Sequence, residues 1–183
     1  IDGLSGDFIS NIYYSTNFNK LIIGYENGLI QIVDFNNDNI LTIYDIIEKT
    51  TIPPNKKKIN EFTEVDNIIY ISTDYGVSLY DLNSLEFGDS LFIGEGGTQQ
   101  QVNQTIINDN FLYAVLPDFG GIKRVNLDLD IINYQNWELV YSGDFDFILN
   151  IDDSFVFTNE NNVFFNENGT FSQVISLSQT IKK

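Results

Sequence analysis

A hairpin-like segment recurs four times along this chain, and its spacing limits the folds that the chain can adopt. In the first copy, the β-rich runs Leu21–Ile23 and Leu29–Val33 flank Asn27 and Gly28. Asn-Gly predicts a type I′ hairpin turn, because both residues tolerate positive φ. The four turns align at Gly28, Gly76, Gly121 and Asn162, which are 48, 45 and 41 residues apart. This period is typical of β-propeller blades rather than of helical solenoids.

Further short strands extend each copy to four strands. Inner strands of radially packed blades are covered on both faces, so they should be nearly continuous apolar runs. Four segments have this character: Leu21–Ile23, Ile68–Ile71, Phe111–Val115 and Phe155–Phe157. The first blade is predicted to end with a strand at Ile40–Ile47, and residues 48–58 to form a loop without regular structure. We therefore predict an all-β fold: one β-propeller domain over residues 1–183, with four four-stranded antiparallel blades at 8–47, 59–93, 102–141 and 145–177.

Composition limits the classes of ligand. Asp and Glu number 26 against 9 Lys and Arg, which gives a formal net charge of −17 and disfavours nucleic acids and anionic membrane surfaces. The basic cluster Pro53–Lys58 is interpreted as a solvated linker. Cys and His are both absent, which removes disulfides, the commonest metal ligand and the usual general base near neutral pH. No apolar run approaches the roughly 20 residues that a membrane-spanning helix needs.

Several carboxylates could in principle form a glycosidase pair or a calcium site. Turns and strand ends favour Asp for backbone reasons alone, and the chain has no EF-hand pattern, so turn chemistry is the favoured interpretation. We predict no catalytic, cofactor-binding or metal-binding residues and no cofactor, and we leave the ligand-binding residues unassigned. The candidate carboxylates are Asp144, Asp146, Asp152 and Asp153, and Glu26 with Asp34.

Three further patterns have structural explanations. Gly94–Gly97 lacks the Lys-Ser/Thr and the helix of a nucleotide-binding loop. Residues 103–105 and 168–170 match the glycosylation sequon, a signal of low specificity. Seven aromatic residues are interpreted mainly as core between blades, with a sugar-stacking platform as the alternative. They are Tyr25, Tyr70, Tyr75, Tyr80, Tyr113, Phe157 and Phe164.

The first repeat resembles that of two-component-regulator sensor propellers. The resemblance rests on residues 3–5 (Gly-Leu-Ser), Ile9, residues 21–24 and residues 27–29 (Asn-Gly-Leu). Ile22 stands where that family usually has Trp, and Tyr25 where it has Thr. Over its whole length the chain looks most like the N-terminal propellers of the PorZ-like family of the type IX secretion system.

The resemblance implies a non-catalytic scaffold or binding domain at the cell surface, outer membrane or periplasm of a Gram-negative bacterium. Its implied partners are proteins of a surface secretion complex and a lipopolysaccharide or glycan, with anionic lipopolysaccharide delivered to the surface sortase. It also implies a ring of about seven blades, so we expect this chain to be an excised part that self-associates through uncovered blade faces. Two alternatives stay open: a glycan-binding sensor propeller and a carbohydrate-active enzyme. The connecting loops expected to hold a partner are residues 15–20, 48–58, 94–101 and 128–136.

Overall fold

The chain folds into four four-stranded antiparallel sheets, each made of four consecutive strands in sequence order. The structure is a computed structural model, and it describes residues 3–5, 8–118, 120–152, 154–167, 170–179 and 181. Contacts divide the chain into two compact units, residues 1–90 and residues 91–183. Each unit holds two of the sheets, which we call blades 1 to 4 in chain order. The all-β prediction with four four-stranded blades is confirmed.

The first unit contains blades 1 and 2. In blade 1 the strands are β1 (Ile9–Ser15), β2 (Lys20–Tyr25), β3 (Ile30–Asp34) and β4 (Asn39–Ile43). A short helix α1 (Asp45–Glu48) and a 3-10 helix (Pro54–Lys56) follow, and blade 2 consists of β5 (Ile59–Val65), β6 (Ile68–Thr73), β7 (Gly76–Asp81) and β8 (Glu86–Leu91). The first strands of the two blades, β1 and β5, lie against each other.

The second unit contains blades 3 and 4. Blade 3 consists of β9 (Gln104–Asn108), β10 (Phe111–Leu116), β11 (Gly121–Asn126) and β12 (Glu138–Tyr141). One 3-10 helix, at Glu95–Gly97, precedes this blade, and another, at Tyr134–Asn136, lies between β11 and β12. Blade 4 consists of β13 (Ile148–Ile151), β14 (Ser154–Asn159), β15 (Asn162–Glu167) and β16 (Thr170–Ser176). Here again the first strands, β9 and β13, lie against each other.

The cores lie between paired blades, where the sequence predicted apolar inner strands. In the second unit, Phe155 and Phe157 of β14 are buried with Val115 and Ile122 of blade 3. Phe157 stacks on Phe164 at a centroid distance of 5.2 Å and on Tyr141 at 5.3 Å. Burying a large aromatic side chain contributes roughly 1.5–3 kcal/mol, so this cluster is a major part of the stability of the unit.

Two local predictions around the first blade are wrong. The strand predicted at Ile40–Ile47 ends at Ile43, because α1 turns the fully buried Ile46 toward the Gly28 turn. A Cβ atom at Gly28 would lie 2.7 Å from Ile46 Cγ2. The loop predicted at residues 48–58 contains the 3-10 helix at Pro54–Lys56, where Pro stands at the first helical position because its missing N–H is not needed there.

The turn at Asn27-Gly28 is not of type I′. Positive φ occurs at Gly28 (89°) but not at Asn27, and Gly28 N donates to Tyr25 O over 3.1 Å. The connection is a three-residue loop closed by Tyr25 N donating to Leu29 O. The Asn27 side chain accepts a hydrogen bond from Leu29 N over 2.9 Å, and this local bond favours the longer loop.

Candidate functional site

An open cleft of about 600 Å³ lies between blades 3 and 4 of the second unit. Its volume is in the range of roughly 300–1,000 Å³ that small-molecule sites occupy. The lining is mostly polar, with three aromatic rings and one arginine. The lining residues are Ile107, Asn108, Asp109, Phe111, Tyr113, Arg124, Tyr141, Asn150, Asp152 and Asn166.

The sheet register of blade 3 places the aromatic and cationic side chains on one face. Phe111 and Tyr113 are two residues apart on β10, so both point to the same side of the sheet. Arg124 of β11 is the direct cross-strand partner of Tyr113. Strand alternation and cross-strand pairing, rather than a linear motif, therefore place the three side chains next to one another at the cleft.

Arg124, the single arginine of the chain, is held from three sides. Its guanidinium carbon lies 4.4 Å from the centre of the Phe111 ring, within cation–π distance. Its Nε donates to Glu138 Oε1 over 2.5 Å, and one Nη donates to the Tyr113 hydroxyl over 3.4 Å. Because guanidinium stays protonated in proteins, these contacts fix a permanent donor at the wall of the cleft.

The floor of the cleft contains a buried hydrogen bond between the two blades. Tyr141 of β12 donates through its hydroxyl to Asn166 Oδ1 of β15 over 3.0 Å, and each residue is 8% exposed. Burial, together with the neighbouring Tyr113, raises the pKa of Tyr141, so the hydroxyl stays protonated and remains a donor. With Oδ1 engaged, the amide Nδ2 of Asn166 is the part of this side chain that can donate to a ligand.

The rim is built by the first turns of the two blades. Asp109 and Asn110 both have positive φ, 47° and 61°, which is the conformation of a type I′ turn between β9 and β10. Asp152 has φ of 50° in the corresponding turn after β13. Asn150 Nδ2 crosses the seam to donate to Ile107 O over 2.8 Å. This bond ties the rim of blade 4 to the rim of blade 3.

Among the described residues, the charged groups that line the cleft are one cation and two carboxylates. They are the permanent positive charge on Arg124 and the carboxylates of Asp109 and Asp152. Acid–base catalysis needs two groups of separated pKa, or a metal, converging on one atom of the substrate. Within the described residues, no group of three or more Asp and Glu side chains is placed to hold a metal ion.

The candidate carboxylates of the sequence are dispersed. Asp146 Oδ2 accepts from Glu160 N over 2.7 Å, and Asp34 pairs with Lys20 and accepts from Asn36 N over 2.9 Å. Both serve turns. The Asp144 carbonyl accepts from Asn159, and the Glu26 amide donates to Phe8 O. Asp152 lines the cleft, and Asp153 lies outside the described residues.

Other sequence candidates also have structural roles. Gly94–Gly97 forms a compact turn in which Gly94 N donates to Thr98 O over 3.0 Å. Asn103 of the first sequon accepts from Gln101, and the second sequon begins with Asn168, outside the described residues. Lys57 is not solvated as predicted for its cluster, because it is buried and donates to the Ile47 carbonyl.

The predicted core aromatics are buried, as that interpretation requires. Two of them have hydroxyls bonded inside the first unit: Tyr25 donates to Gln31 Oε1 at 2.5 Å, and Tyr75 lies 2.6 Å from Ser78 Oγ. Tyr113 is buried and also lines the cleft. The buried residues of the set are Tyr25, Tyr70, Tyr75, Tyr80, Tyr113 and Phe157, and Phe164 is partly buried against the core.

Sequence reasoning missed Arg124 and the three asparagines of the cleft, Asn108, Asn150 and Asn166. Two signals were available: Arg124 is the only arginine, and strand alternation puts Phe111 and Tyr113 on one face. The asparagines carried no signal, because they come from three different strands and the chain has many other asparagines in turns.

Solved structures similar to this chain are propellers. One is PorZ, an essential bacterial surface component of the type IX secretion system of Porphyromonas gingivalis (TM-score 0.77, 15% identity, 94% of this chain and 23% of that chain). Another is an extracellular domain assigned to a one-component system of B. thetaiotaomicron (TM-score 0.69, 17% identity, 97% and 25%). A computationally designed protein, Ika8, is also similar (TM-score 0.60, 17% identity, 93% and 49%).

These likenesses show the β-propeller fold, and this chain spans about a quarter of the PorZ chain. A search of curated proteins found no match. The family model described as the PorZ N-terminal β-propeller domain of the type IX secretion system matches residues 1–138, which is most of the chain. The chain therefore belongs to the family of PorZ N-terminal β-propeller domains.

Proposed function

We propose that this chain is a non-catalytic binding and scaffolding domain of a bacterial cell-surface protein that works with a type IX secretion system. The match of residues 1–138 to the PorZ N-terminal propeller family carries this proposal. A propeller offers a rigid support whose turns and inter-blade clefts can hold a partner. The expected partners are proteins of the secretion complex.

A binding role also agrees with the chemistry of the chain. Lys, Tyr and carboxylates are left as acid–base groups in a chain without His or Cys, and carboxylates such as Asp34 and Asp146 are engaged in turns. We therefore propose that the domain is not an enzyme, in preference to the carbohydrate-active alternative. Turnover of a glycosidase or lyase substrate that is lost in Asp152→Asn would contradict this.

The finer form of the proposal concerns lipopolysaccharide. PorZ is an essential surface component of its secretion system, and we propose that the protein containing this chain helps to deliver anionic lipopolysaccharide to the surface sortase. The domain would then lie at the cell surface or in the periplasm. No helix among the described residues is long and apolar enough to cross a membrane.

The test is capture from cells that carry the secretion system. A tagged copy of the chain, expressed as part of its full gene product, should retain secretion-complex proteins and anionic lipopolysaccharide on affinity resin. Deletion of residues 1–183 from the gene product should reduce both. Equal capture with and without these residues would overturn the proposal.

A sensor propeller is the second candidate, because extracellular domains of one-component and hybrid two-component systems share the fold. In that case the propeller would bind a glycan and control a signalling domain. The two candidates differ in the rest of the gene product, since a sensor requires a membrane-spanning segment and a signalling domain. Sequencing the complete gene decides between them.

Self-association is a further proposal. Apolar side chains are exposed on strands β1 and β16, with Ile12 63% and Val174 53% exposed. Exposed apolar groups on strands at the edge of a blade favour association with another chain. Light scattering of the purified chain should show dimers or larger species, whereas a monomer at all concentrations would contradict this part.

A further inference from the structure

We propose that the cleft between blades 3 and 4 binds an uncharged, hydroxyl-rich sugar unit of a glycan. This inference rests on the proposed binding function and gives it a site, whose ligand is a neutral sugar unit as distinct from the charged groups of an anionic lipopolysaccharide. Its basis is the combination of a polar cleft, a fixed arginine and a buried amide in one place. The family match does not supply any of these residues as a site.

The charges of the cleft favour a neutral ligand. Arg124 contributes one positive charge, but Glu138 lies against it, with Nε 2.5 Å from the carboxylate. Asp109 and Asp152 add two negative charges at the rim, and the chain as a whole carries a formal charge of −17. An anionic sugar would therefore meet repulsion, and the described lining residues include no unpaired cation to offset it. A neutral sugar avoids this cost.

The polar groups suit hydroxyls, which both donate and accept hydrogen bonds. The donors include the Arg124 guanidinium and the Asn166 amide, and the acceptors include the Asp109 and Asp152 carboxylates. Within the described part of the chain, these two carboxylates have no hydrogen-bond partner of their own. A ligand with several adjacent hydroxyl groups can satisfy donors and acceptors at once.

The site is organised before a ligand arrives. The Arg124 side chain is fixed by Phe111, Tyr113 and Glu138, and Asn166 is nine-tenths buried and held by Tyr141. Asn108 and Asn150 donate to main-chain carbonyls across the seam, over 3.5 Å and 2.8 Å. Pre-organised groups lose little conformational freedom on binding, which favours recognition of a small polar ligand.

The test uses the full 183-residue chain and a defined panel of trisaccharides. Mannotriose, maltotriose, cellotriose and galactotriose are the neutral probes, and trigalacturonic acid is the anionic probe. Titration calorimetry or saturation-transfer NMR should show binding of at least one neutral trisaccharide with a Kd of about 1 mM or tighter. Trigalacturonic acid should bind more weakly than that neutral probe. The opposite order, or no neutral binding, would overturn the inference.

Two cleft variants locate the site. Arg124→Lys keeps the charge but removes the planar guanidinium, and we expect about tenfold weaker binding. Asn150→Ala removes one rim amide, and we expect about fivefold weaker binding. The matched control is Asn161→Ala, because the Asn161 amide also donates to a main-chain carbonyl, Leu177 O, but the residue does not line the cleft.

Each variant is compared with wild type by thermal unfolding, so that loss of the fold is not mistaken for loss of the site. Wild-type affinity in both Arg124→Lys and Asn150→Ala would place the sugar elsewhere and overturn the inference. Cleft-dependent sugar binding without capture of secretion-complex proteins would support this inference and contradict the proposed function. Capture of secretion-complex proteins without sugar binding would support the proposed function and contradict this inference.

Discussion

The seams of the two units occupy the same place in their blades but have different chemistry. In blade 1, Lys20 faces Asp34 across β2 and β3, and Ile22 faces Ile32. At the same register of blade 3, Phe111 faces Asn126 and Tyr113 faces Arg124. The first unit has a cleft of about 350 Å³ there, and the second has one of about 600 Å³.

The difference shows that the same backbone plan can carry an apolar seam or a polar one. In both units the cation pairs with a cross-strand carboxylate, which is Asp34 in the first unit and Glu138 in the second. The first cleft differs in its apolar walls, which include Ile32, Leu41 and Leu85. In the second unit a longer cation stacks on an aromatic ring and borders polar side chains from blade 4. The polar character of the second cleft therefore comes from side chains of both blades.

The largest expected effect is at the matched positions Ile32 and Arg124. Ile32 is 2% exposed, so Ile32→Ala should lower the free energy of unfolding by about 2–5 kcal/mol. Arg124→Ala should cost less than about 1 kcal/mol, because its ion pair is partly exposed, at 32% and 56% for the two side chains. Urea unfolding measures both. Equal losses of unfolding free energy would contradict the contrast between an apolar, packed seam and a polar one.

A second comparison concerns close packing in the first unit. A Cβ atom at Gly24 would lie 2.7 Å from Ile59 Cγ2 and 2.9 Å from Phe62 Cζ, both in blade 2. Gly24→Val should therefore destabilise the chain by about 1–3 kcal/mol through overpacking. The control is Gly88→Val, because Gly88 lies exposed on the edge strand β8. A Cβ atom there would have Leu79 Cβ as its nearest neighbour, 3.2 Å away. A smaller loss at Gly24 than at Gly88 would contradict tight packing of this seam.

Alkaline stability should depend on tyrosines of the first unit. Burial, with smaller contributions from Asp45 and Asp81, raises the pKa of Tyr80 from 10.0 to about 12. The unfolded chain then releases this proton at lower pH than the folded chain, so stability is full below pH 10 and falls as the pH rises from 10 to 12. Tyr80→Phe should weaken that decline, measured by circular dichroism against the exposed control Tyr44→Phe. An unchanged decline would contradict the burial of this phenol.

Tyr80→Phe also tests a buried hydroxyl. Within the described residues, the Tyr80 hydroxyl is buried and has no hydrogen-bond partner. Its removal at neutral pH should leave the free energy of unfolding unchanged or raise it by up to about 1 kcal/mol, because no bond is lost. A loss of more than about 1 kcal/mol in urea unfolding would show that the hydroxyl does have a stabilising partner.

The smallest expected effect is in acid. Hydrogen bonds from Lys20 and from the Asn36 amide lower the pKa of Asp34, so its contribution to stability is present above its ordinary pKa of 3.8 and is lost as the pH falls below it. Asp34→Asn should flatten the acid dependence of unfolding slightly, since the Asp34 side chain is only partly buried, at 19% exposure, and its ion pair lies near the surface. The cross-strand residue at this position in blade 3 is Asn126, and Asn126→Ala should leave the acid dependence unchanged.

Much of the fold could be predicted from the sequence because period and turn chemistry are local signals. The apolar segments predicted as inner strands at Ile68–Ile71 and Phe111–Val115 lie within the observed strands Ile68–Thr73 and Phe111–Leu116. The helix at Asp45–Glu48 was missed, because its one buried residue, Ile46, also fits a strand pattern. Its conformation is decided by tertiary contact with the Gly28 turn, and a single helical turn leaves no periodicity to detect.

The cleft could be predicted only in part. Alternation on β10 brings Phe111 and Tyr113 together, but the partner blade supplies Asn150, Asp152 and Asn166, which lie 37 to 55 residues further along the chain. Their convergence depends on how blade 4 packs against blade 3, and no local pattern encodes that. The sequence predicted a type I′ turn at Asn27-Gly28, whereas the structure has one at Asp109-Asn110, where it forms the rim of the cleft.

The most direct test of a binding cleft between blades 3 and 4 is a nitrogen–proton NMR titration with the neutral trisaccharide that binds best. We predict that the Arg124 Nε–H and the side-chain amides of Asn150 and Asn166 shift together and saturate at one affinity. The amides of Asn17, Asn19 and Asn36 in the first unit, which are engaged with other side chains or carbonyls, should not move. Shifts confined to the first unit, or none at all, would contradict a sugar site in this cleft.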